Sequence, residues 1–308
     1  MTGLVIALDP TDDILTQGLT QAGYQILNYH QASIHDIPEW PQAVGVLVRG
    51  RVMIEAEHLR TGTQLQWIGR LGSGMENIDT HTAAQQGIAC YSAPEGNRIA
   101  LGEHMVGMLL ALQHKIHQGF DRVRQGHWER EAHTGFELFD STVGILGFGH
   151  MGSAFAERLQ GFGCRILAYD KYKRDYAPHY VEAVDLDTLR RESDVISIHL
   201  PLTEETDGLV NRDYLSPCVQ QPVVLNSSRG GVLNTQEAFD MLEKGELRGL
   251  GLDVIELERR NLHGLSDRPA WFSALLEHPQ VIVTPHVAGW SEQSFPRMAR
   301  VLLAKILS

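Results

Sequence analysis

The stretch TVGILGFGHMGSAFAERL, from Thr142 to Leu159, decides the fold of half of this chain. It opens with a short apolar run that is typical of a strand and closes with a helical pattern. The glycines between them have the spacing GxGxxG: Gly147 permits a tight turn, Gly149 lets the backbone approach a pyrophosphate, and Gly152 lets the helix pack on the strand. Phosphates would bind the unpaired N–H groups of the helix N-terminus. The stretch therefore predicts a dinucleotide-binding turn.

The next apolar run, CRILAYD, supplies the acid that such a turn needs. It ends in Asp170, and 170 − 152 places this residue 18 positions after the last glycine, close to the ~20 expected for the carboxylate that binds the ribose hydroxyls. A carboxylate at this point repels a 2′-phosphate, so we predict NAD as the cofactor in preference to NADP. Lys171, Lys173 and Arg174 stand beside it, so the strictness of this preference stays open.

The same alternation of short apolar runs and helical patterns extends along all 308 residues. The runs before residue 142 are GLVIAL, AVGVLV and WIGRL, and the later ones are TVGIL, RILAY, DVISIHL, PVVLN, LRGLGLDV and VIVT. Alternating strands and helices indicate parallel sheets covered on both faces. With this length, two sets of strands predict an α/β protein of two domains, in which the dinucleotide-binding domain follows a domain with its own sheet.

A helical pattern separates the two sets of strands. The stretch NRIALGEHMVGMLLALQHKIHQGFDRV, residues 97–123, carries apolar side chains at helical spacing. It predicts one long helix that begins at a cap formed by Asn97. Its apolar face is more typical of a core or subunit contact than of a ligand site.

The composition argues against several other classes of protein. Lys and Arg total 26 against 38 Asp and Glu, and 26 − 38 gives a net charge of −12, which opposes binding to nucleic acid or to an anionic membrane. The N-terminus lacks a signal-peptide pattern, and no run approaches the ~18 apolar residues of a membrane span. Cys90, Cys164 and Cys218 form no CxxC pair, so we expect free thiols in a cytoplasmic protein. We find neither metal-ligand spacing nor the GxSxG elbow of serine hydrolases.

Three chemically complementary residues follow apolar runs in the second half of the chain. Arg229 follows PVVLN, Glu258 follows LRGLGLDV and His286 follows VIVT. Because open α/β sheets bind ligands at the carboxyl ends of their strands, we expect the three side chains to face one crevice. An imidazole can exchange a proton near neutral pH, a carboxylate can fix its ring, and a guanidinium can grip a substrate carboxylate with two hydrogen bonds. Beside a nicotinamide, this set suits hydride transfer at a 2-hydroxy or 2-keto acid.

Five blocks of the sequence together resemble a known family. GFGHMG, DVISIHLPLTEET, NSSRGGVLNTQEAF, GLDVIELE and TPHVAGW look like signature blocks of the NAD-dependent D-2-hydroxyacid dehydrogenases, and the resemblance covers nearly the whole chain. The chain is most similar to the short-form D-3-phosphoglycerate dehydrogenases. The resemblance implies that His286 is the acid/base, Glu258 its partner and Arg229 the substrate anchor. It also implies a substrate such as 3-phosphoglycerate, hydroxypyruvate or glyoxylate.

The resemblance assigns two sets of binding residues. The cofactor contacts that it implies are Gly147, Phe148, Gly149, His150, Met151, Gly152, Asp170, His199, Pro201, Ser228, Asp253 and Gly289. The substrate contacts that it implies are Arg49, Gly72, Ser73, Gly74, Asn97 and Arg229. In the first set, Asp253 matches the aspartate that contacts the nicotinamide carboxamide. We expect His104 and His199 to be packed or hydrogen-bonded side chains and not catalysts.

The family's layout is a Rossmann dinucleotide-binding domain inserted into a flavodoxin-like substrate domain. For this chain it implies an NAD-binding domain over residues 100–288 and a substrate domain over residues 1–99 plus 289–308. It also implies a homodimer formed through the long helix that starts near Asn97. An alternative function on the same fold is that of an NAD(H)-sensing corepressor or scaffold, and NADH oxidation by 2-keto acids would separate the two.

The sequence departs from the family's common pattern at three points. Gly50 stands where many relatives have serine, Asn234 replaces a frequent aspartate, and Glu258 is followed by RRN in place of proline. The segment 259–277 either shapes substrate selection or is a solvated loop. Arg51 is a candidate for a phosphate or second anionic group of the substrate, or else a surface charge. The sequence leaves open which acid is the substrate and which direction is preferred.

Overall fold

The computed structural model describes residues 3–259, 264–266 and 268–308, and these residues divide into two compact units. The first unit takes its described residues from Met1–Arg98, Arg259–Gly264 and Trp290–Ser308. The second takes them from Ile99–Glu258 and Leu265–Gly289. At the two outer boundaries this division differs by one residue from the layout implied by the resemblance, and it adds Arg259 and Gly264 to the first unit.

Parallel strands and short helices alternate in both units. The strands are Gly3–Ala7 (β1), Tyr24–Asn28 (β2), Ala43–Val48 (β3), Trp67–Arg70 (β4), Ala89–Ser92 (β5), Thr142–Leu146 (β6), Arg165–Tyr169 (β7), Glu182–Ala183 (β8), Val195–Ile198 (β9), Val223–Asn226 (β10), Gly249–Leu252 (β11) and Val281–Val283 (β12). The α-helices are Asp13–Gln21 (α1), Ala56–Thr61 (α2), Thr80–Gln85 (α3), Pro94–Gln113 (α4), Ile116–Arg124 (α5), His150–Leu159 (α6), Leu186–Glu192 (α7), Arg212–Leu215 (α8), Thr235–Glu243 (α9), Ala270–Glu277 (α10) and Ser294–Leu307 (α11). Short 3₁₀ helices span Ile34–Asp36, Trp40–Gln42, Glu131–His133, Gln160–Phe162 and Gly230–Val232.

The first unit is a five-stranded parallel sheet in the order β2-β1-β3-β4-β5. This is the order of flavodoxin-like folds. The strand β3 is buried at every residue, and apolar clusters cover both faces of the sheet. One of these clusters contains Leu15 and Leu19 of α1 together with Met298 and Leu302 of α11. The last helix of the chain therefore belongs to the same core as the first.

The second unit is a seven-stranded parallel sheet in the order β12-β11-β10-β9-β6-β7-β8. Counted from β6, six of these strands have the doubly wound order 3-2-1-4-5-6, and β12 adds one more at the edge. Separate apolar clusters lie on the two faces, as expected for a parallel sheet that carries helices on both sides. The predicted fold class, a Rossmann domain combined with a flavodoxin-like domain, is confirmed.

All nine strands predicted from apolar runs are present, and three further strands were not predicted. The additional strands are β2, β5 and β8, and each of them lies at an edge of its sheet. Their residues are only partly buried or are exposed. An edge strand packs fewer neighbours and carries fewer apolar residues, so the continuous apolar run that marks a central strand is missing.

The prediction of one long helix that begins at Asn97 is wrong at its start and in its middle. Helix α4 begins at Pro94, a residue whose fixed φ suits the first turn of a helix, and Asn97 lies within the helix. The helix ends at Gln113, and Lys115 adopts a left-handed φ of 52° before α5 begins. The apolar spacing continues into α5, but none of the α5 residues is buried, so no core contact aligns α5 with α4. Although α4 has 20 residues, no helix among the described residues is long and apolar enough to cross a membrane.

Candidate active site

The glycine turn has the geometry that a pyrophosphate requires. Gly147 directly follows β6 and has a φ of 90°, which favours glycine. A Cβ on Gly152 would lie 2.1 Å from the Gly147 carbonyl oxygen, so only glycine allows α6 to start this close to the strand. The space beside Gly149 is open, and no side chain caps α6. The first turn of α6, which includes His150 and Met151, can therefore offer its N–H groups to an anion, and a dinucleotide pyrophosphate fits this cradle.

Asp170 stands directly after β7 and is bonded to the glycine turn. Its Oδ2 accepts from the Phe148 N–H over 3.0 Å, and its Oδ1 accepts from the N–H groups of Tyr172 and Lys173 over 3.0 Å each. Burial raises the pKa of Asp170, but these N–H groups and the charge of Lys173 outweigh it and bring the pKa below its ordinary value. The residue is therefore an ionised acid where a ribose would bind. The Lys173 ammonium donates to the Phe148 carbonyl over 2.7 Å, so it belongs to the same turn.

Three further predicted cofactor residues follow β9 and β10. His199 follows β9, where burial lowers its pKa to about 3, so it is neutral. Its Nε2 is 2.9 Å from Ser197 Oγ, whereas its buried Nδ1 has no hydrogen-bond partner. Pro201 is exposed two residues later. Ser228 is buried and donates to Asn226 Oδ1 over 2.8 Å, so its hydroxyl shapes the turn after β10. These contacts make His199 a packed residue, as expected from the sequence.

Two of the three predicted catalytic residues are in direct contact. His286 Nδ1 is 2.7 Å from Glu258 Oε2, and the two side chains are 24% and 17% exposed. The other carboxylate oxygen of Glu258 accepts from the Ile255 N–H over 2.8 Å, which fixes the carboxylate in its turn. The contact orients the imidazole and leaves its Nε2 for a ligand. Sequence separation alone gave no distance between these residues, and the structure brings them together.

Arg229 lies at the end of the neighbouring strand. The strands β10, β11 and β12 are adjacent and parallel, so Arg229, Glu258 and His286 follow carboxyl ends on the same edge of the sheet. The Arg229 backbone is extended, and its Nη1 donates to the Ser228 carbonyl over 2.5 Å. Asn226 Nδ2 donates to the Arg229 carbonyl over 3.1 Å. The turn after β10 therefore holds the backbone and the guanidinium of Arg229 in place.

Asp253 has a structural part that the sequence did not indicate. It is 1% exposed at the end of β11. Its carboxylate accepts from the Thr284 hydroxyl over 2.6 Å and from the N–H groups of Val287 and Ala288 over 2.9 and 2.8 Å. Its backbone carbonyl accepts from the His286 N–H over 2.8 Å. Asp253 therefore clamps the segment 284–288, which ends directly before Gly289, a predicted cofactor contact.

In the first unit, Arg49 is held by aromatic rings and by a buried acid. Its guanidinium carbon lies 5.2 Å from the centre of the Trp290 ring and 4.6 Å from that of Phe295. Its backbone N–H donates to Asp9 Oδ2 over 2.6 Å. Burial lowers the pKa of Arg49, and the charge of Asp9 partly offsets this. The stacking fixes the guanidinium without using its N–H groups on a carboxylate.

Arg51 forms an ion pair with a buried acid, which neither alternative from the sequence included. Its Nε donates to Asp9 Oδ1 over 3.1 Å and its Nη2 donates to the Leu8 carbonyl over 2.5 Å. Asp9 is 3% exposed, so Arg51 balances a buried charge. Buried carboxylates need such a partner, and no sequence pattern indicated that Asp9 is buried.

The remaining predicted substrate residues of the first unit are near one another. Ser73 Oγ donates to Asn97 Oδ1 over 2.8 Å, which joins the turn Gly72–Gly74 to helix α4. The Gly72 carbonyl accepts from the Ala93 N–H over 2.8 Å. Ser73 and Asn97 therefore lie side by side in the first unit.

Two of the departures from the family pattern can be followed further. Asn234 caps α9 by accepting from the Glu237 N–H. In the RRN stretch after Glu258, Arg260 and Asn261 lie outside the described residues.

One group of described residues could hold a metal by distance alone. The ligand atoms of His35, Glu57 and His58 lie within 4.8 Å of one another. However, His58 Nδ1 accepts from the Glu55 N–H over 3.0 Å in the capping box of α2. This bond places the proton of the neutral ring on Nε2, the atom that would have to bind the metal. We therefore assign no metal to this group.

Three comparisons with known proteins agree with this geometry. Residues 106–288 match the family described as "D-isomer specific 2-hydroxyacid dehydrogenase, NAD binding domain". The D-3-phosphoglycerate dehydrogenase of Archaeoglobus fulgidus is 32% identical over 274 residues, which cover 88% of this chain and 50% of the relative. The hydroxypyruvate reductase of Thermotoga maritima is 31% identical over 305 residues, 97% of this chain and 95% of the relative. The chain thus spans about half the length of the phosphoglycerate dehydrogenase and nearly all of the reductase.

A solved structure extends the similarity to both units. The D-lactate dehydrogenase from Aquifex aeolicus, complexed with NAD and lactic acid, is 26% identical and has a TM-score of 0.81. The match covers 99% of this chain and 94% of that one. The similarity therefore includes the flavodoxin-like sheet, which lies outside the matched NAD-binding domain.

Proposed function

This chain belongs to the D-isomer specific 2-hydroxyacid dehydrogenases, and we propose that it interconverts a D-2-hydroxy acid and its 2-keto acid with NAD. The observation that carries the proposal is the 2.7 Å contact between His286 and Glu258. It lies at the carboxyl ends of the strands, on the sheet whose first strand runs into the glycine turn. A proton donor and a dinucleotide cradle in one unit are what hydride transfer to a keto acid requires, and this combination supports the proposal.

Each catalytic residue has one task in this proposal. Glu258 holds Nδ1 of His286, so Nε2 gives a proton to the substrate oxygen during reduction and removes it during oxidation. Arg229 grips the substrate carboxylate, since a guanidinium matches that group with two parallel hydrogen bonds. Bound NAD(H) supplies or accepts the hydride. The α6 N-terminus holds the pyrophosphate, and Asp170 accepts from the ribose hydroxyls.

The first unit has residues of its own that we assign to the substrate. Arg49 offers a guanidinium that is stacked on Trp290 and Phe295. The turn Gly72–Gly74 and Asn97 offer polar groups for the carboxylate or the substituent of the acid. Because Arg51 is bonded to Asp9, Arg49 is the arginine of this pair that we assign to the substrate. The proposed substrates are small 2-keto acids with a polar substituent, of which hydroxypyruvate and 3-phosphohydroxypyruvate are the first to test.

The test is the oxidation of NADH by a panel of 2-keto acids. We expect loss of NADH absorbance with at least one of hydroxypyruvate, glyoxylate, pyruvate and 3-phosphohydroxypyruvate, and slower oxidation of NADPH because Asp170 repels a 2′-phosphate. The panel also separates an enzyme from a corepressor that only senses NAD(H), a function that no observation favours. Binding of NADH without turnover on every acid of the panel would remove the proposed activity.

We also propose that the chain forms a homodimer. Large apolar side chains are exposed on α5 and on the segment that follows it: Ile116, Phe120, Val123, Trp128, Phe136 and Phe139. Phe120 and Trp128 are 64% and 81% exposed, and large apolar side chains left in water are typical of an interaction site. Light scattering should give twice the mass of the 34.3 kDa chain, and the double variant Phe120→Glu/Trp128→Glu should give the mass of one chain. A monomeric parent protein would contradict the proposal.

A cytoplasmic location and the absence of a nucleic-acid partner complete the proposal. All three cysteines, Cys90, Cys164 and Cys218, are free, which suits a reducing compartment. The net charge of −12 repels a polyanion.

A further inference from the structure

Helix α4 is tied to the loop of His286 by a chain of polar side chains that the proposed mechanism does not use. His104 lies on α4, and its Nε2 is 3.2 Å from Thr284 Oγ1. The Thr284 hydroxyl donates to Asp253 Oδ1 over 2.6 Å. The Asp253 carboxylate in turn accepts from the backbone N–H groups of the two residues after His286, over 2.9 and 2.8 Å. The chain from α4 therefore ends on the peptide groups that carry the catalytic histidine.

Chemistry fixes the direction of each bond in this chain. An ionised carboxylate can only accept, so Thr284 donates its one proton to Asp253. The Thr284 oxygen then has only lone pairs for His104, so His104 Nε2 carries the proton of their contact. His104 is a donor here in both its neutral and its protonated form. A replacement side chain must donate from the same point to keep the chain intact.

Burial makes His104 important to Asp253. The aspartate is 1% exposed, and a buried carboxylate is costly unless it is hydrogen-bonded and paired with a charge. His104 Nε2 is 3.7 Å from Asp253 Oδ1, which is too far for a hydrogen bond. His104 is 25% exposed. The imidazole therefore supports the acid through the Thr284 hydroxyl, which it orients.

The segment that Asp253 holds has a backbone that needs support. His286 has a φ of 56°, in the left-handed region that few residues other than glycine adopt. Such a conformation persists only when its surroundings fix it. The His286 N–H donates to the backbone carbonyls of Asp253 and Thr284 over 2.8 and 3.0 Å. Asp253 and Thr284 therefore take part both in the polar chain from His104 and in the left-handed turn at His286.

We propose that His104 is a positioning residue for the reaction. It orients the Thr284 hydroxyl that donates to the Asp253 carboxylate, and through these two residues it holds the left-handed turn that aims the His286 imidazole. The inference rests on the proposed function, because His286 is the residue that must be aimed. It assigns to α4 a part in catalysis that its apolar pattern does not suggest.

The first test measures the turn itself, without substrate. His104→Leu removes the donor and keeps the bulk, whereas His104→Gln keeps an N–H donor near the position of Nε2. His114→Leu is the matched control, because His114 is an exposed histidine just after α4. Hydrogen exchange at the amides of Val287 and Ala288 should be about three- to tenfold faster in His104→Leu, as expected for the loss of one hydrogen bond. Exchange in the other two variants should match the parent protein.

The second test measures turnover in a double-mutant cycle. His104→Leu should lower kcat about three- to tenfold with the affinity for NADH unchanged, and His104→Gln should restore most of it. Thr284→Val removes the oxygen that links His104 to Asp253. If His104 acts through this oxygen, the double variant His104→Leu/Thr284→Val has the kcat of Thr284→Val alone, because the link can be lost only once.

The outcomes separate this inference from the proposed function. Unchanged amide exchange in His104→Leu, or a double variant whose loss is the product of the two single losses, would overturn the role of His104. A parent protein without turnover on any 2-keto acid would overturn the proposed function instead. Amide exchange would still decide whether His104 holds the turn, since that measurement needs no substrate.

Discussion

Two buried aspartates, one in each unit, follow parallel strands, and different groups compensate their charge. Asp9 lies after β1 and is 3% exposed, and it is paired with the guanidinium of Arg51. Asp253 lies after β11 and is 1% exposed, and it is held by a hydroxyl, two backbone N–H groups and His104. Each acid also fixes a residue that we assign to the reaction, Arg49 for Asp9 and His286 for Asp253.

The different partners of Asp9 and Asp253 indicate which step of the reaction each acid supports. A guanidinium is charged at every accessible pH, so the pair of Asp9 and Arg51 is a permanent support under Arg49. The bonds of Asp253 go instead to the backbone on both sides of His286, where they fix a left-handed turn. We therefore expect a change at Asp9 to alter substrate affinity and a change at Asp253 to alter turnover.

The largest effect should come from His286, whose loop is held by Asp253. His286→Ala removes the proton donor, and general acid–base catalysis of this kind contributes about 10² to 10⁴ in rate. Steady-state assays should therefore show kcat lower by about that factor. Fluorescence titration should show unchanged NADH affinity, because the glycine turn and Asp170 are untouched. If kcat stays at the parent value, Asp253 clamps a loop that has no catalytic part.

The second largest effect on turnover should come from Asp253, which holds the segment 284–288. Asp253→Asn places an amide N–H₂ against the N–H of either Val287 or Ala288, because these two groups donate to different carboxylate oxygens. The lost charge and hydrogen bond should lower kcat by about 10- to 100-fold. Asp9→Asn is the matched change in the other unit, and it should raise KM for the keto acid while kcat stays near the parent value. Substrate-saturation curves for the two variants measure both parameters. The same change of kcat in both would erase the distinction between the two acids.

The smallest effect concerns the stability of the protein in acid, which depends on His199, another buried group of the second unit. Burial lowers the pKa of His199 from 6.5 to about 3, so the unfolded chain binds a proton there that the folded chain does not. The folded state therefore keeps its full stability above pH ~6.5 and loses it as the pH falls toward 3, by about 2 kcal/mol at pH 5. His199→Gln should lose correspondingly less between pH 7 and pH 5.

Urea unfolding curves at the two pH values measure this difference. His114→Gln is the control, since an exposed histidine should leave the pH dependence unchanged. An identical loss of stability in His199→Gln and the parent protein would show that other groups dominate acid unfolding.

How far the sequence predicted the fold depends on the position of each strand. Central strands such as β3, β6 and β10 are buried on both faces, and their continuous apolar runs made them predictable. The strands β2, β5 and β8 lie at sheet edges and have no such run. The end of helix α4 at Gln113 was not predicted, because the apolar spacing continues through Ile116 and Phe120. Both of these side chains are exposed, so here an apolar pattern was present without a core contact.

The candidate site divides in a similar way. The glycine turn and Asp170 were predicted because their chemistry depends on residues near one another in the chain. The contact of Glu258 with His286 was expected from strand order, since parallel strands end at one edge of a sheet. Thr284 and His104 as supports of Asp253 could not be predicted, because His104 and Thr284 are 180 positions apart.

The sequence alone therefore determined the α/β class, the dinucleotide turn and the set of residues with the right chemistry. Turn conformation and strand burial depend on neighbouring residues, so short patterns are enough to reveal them. Only the tertiary structure decided which groups partner the buried acids, Arg51 for Asp9 and the Thr284 hydroxyl, next to His104, for Asp253. Whether a polar group is satisfied depends on the distant atoms that exclude water from it, and no local pattern contains that information.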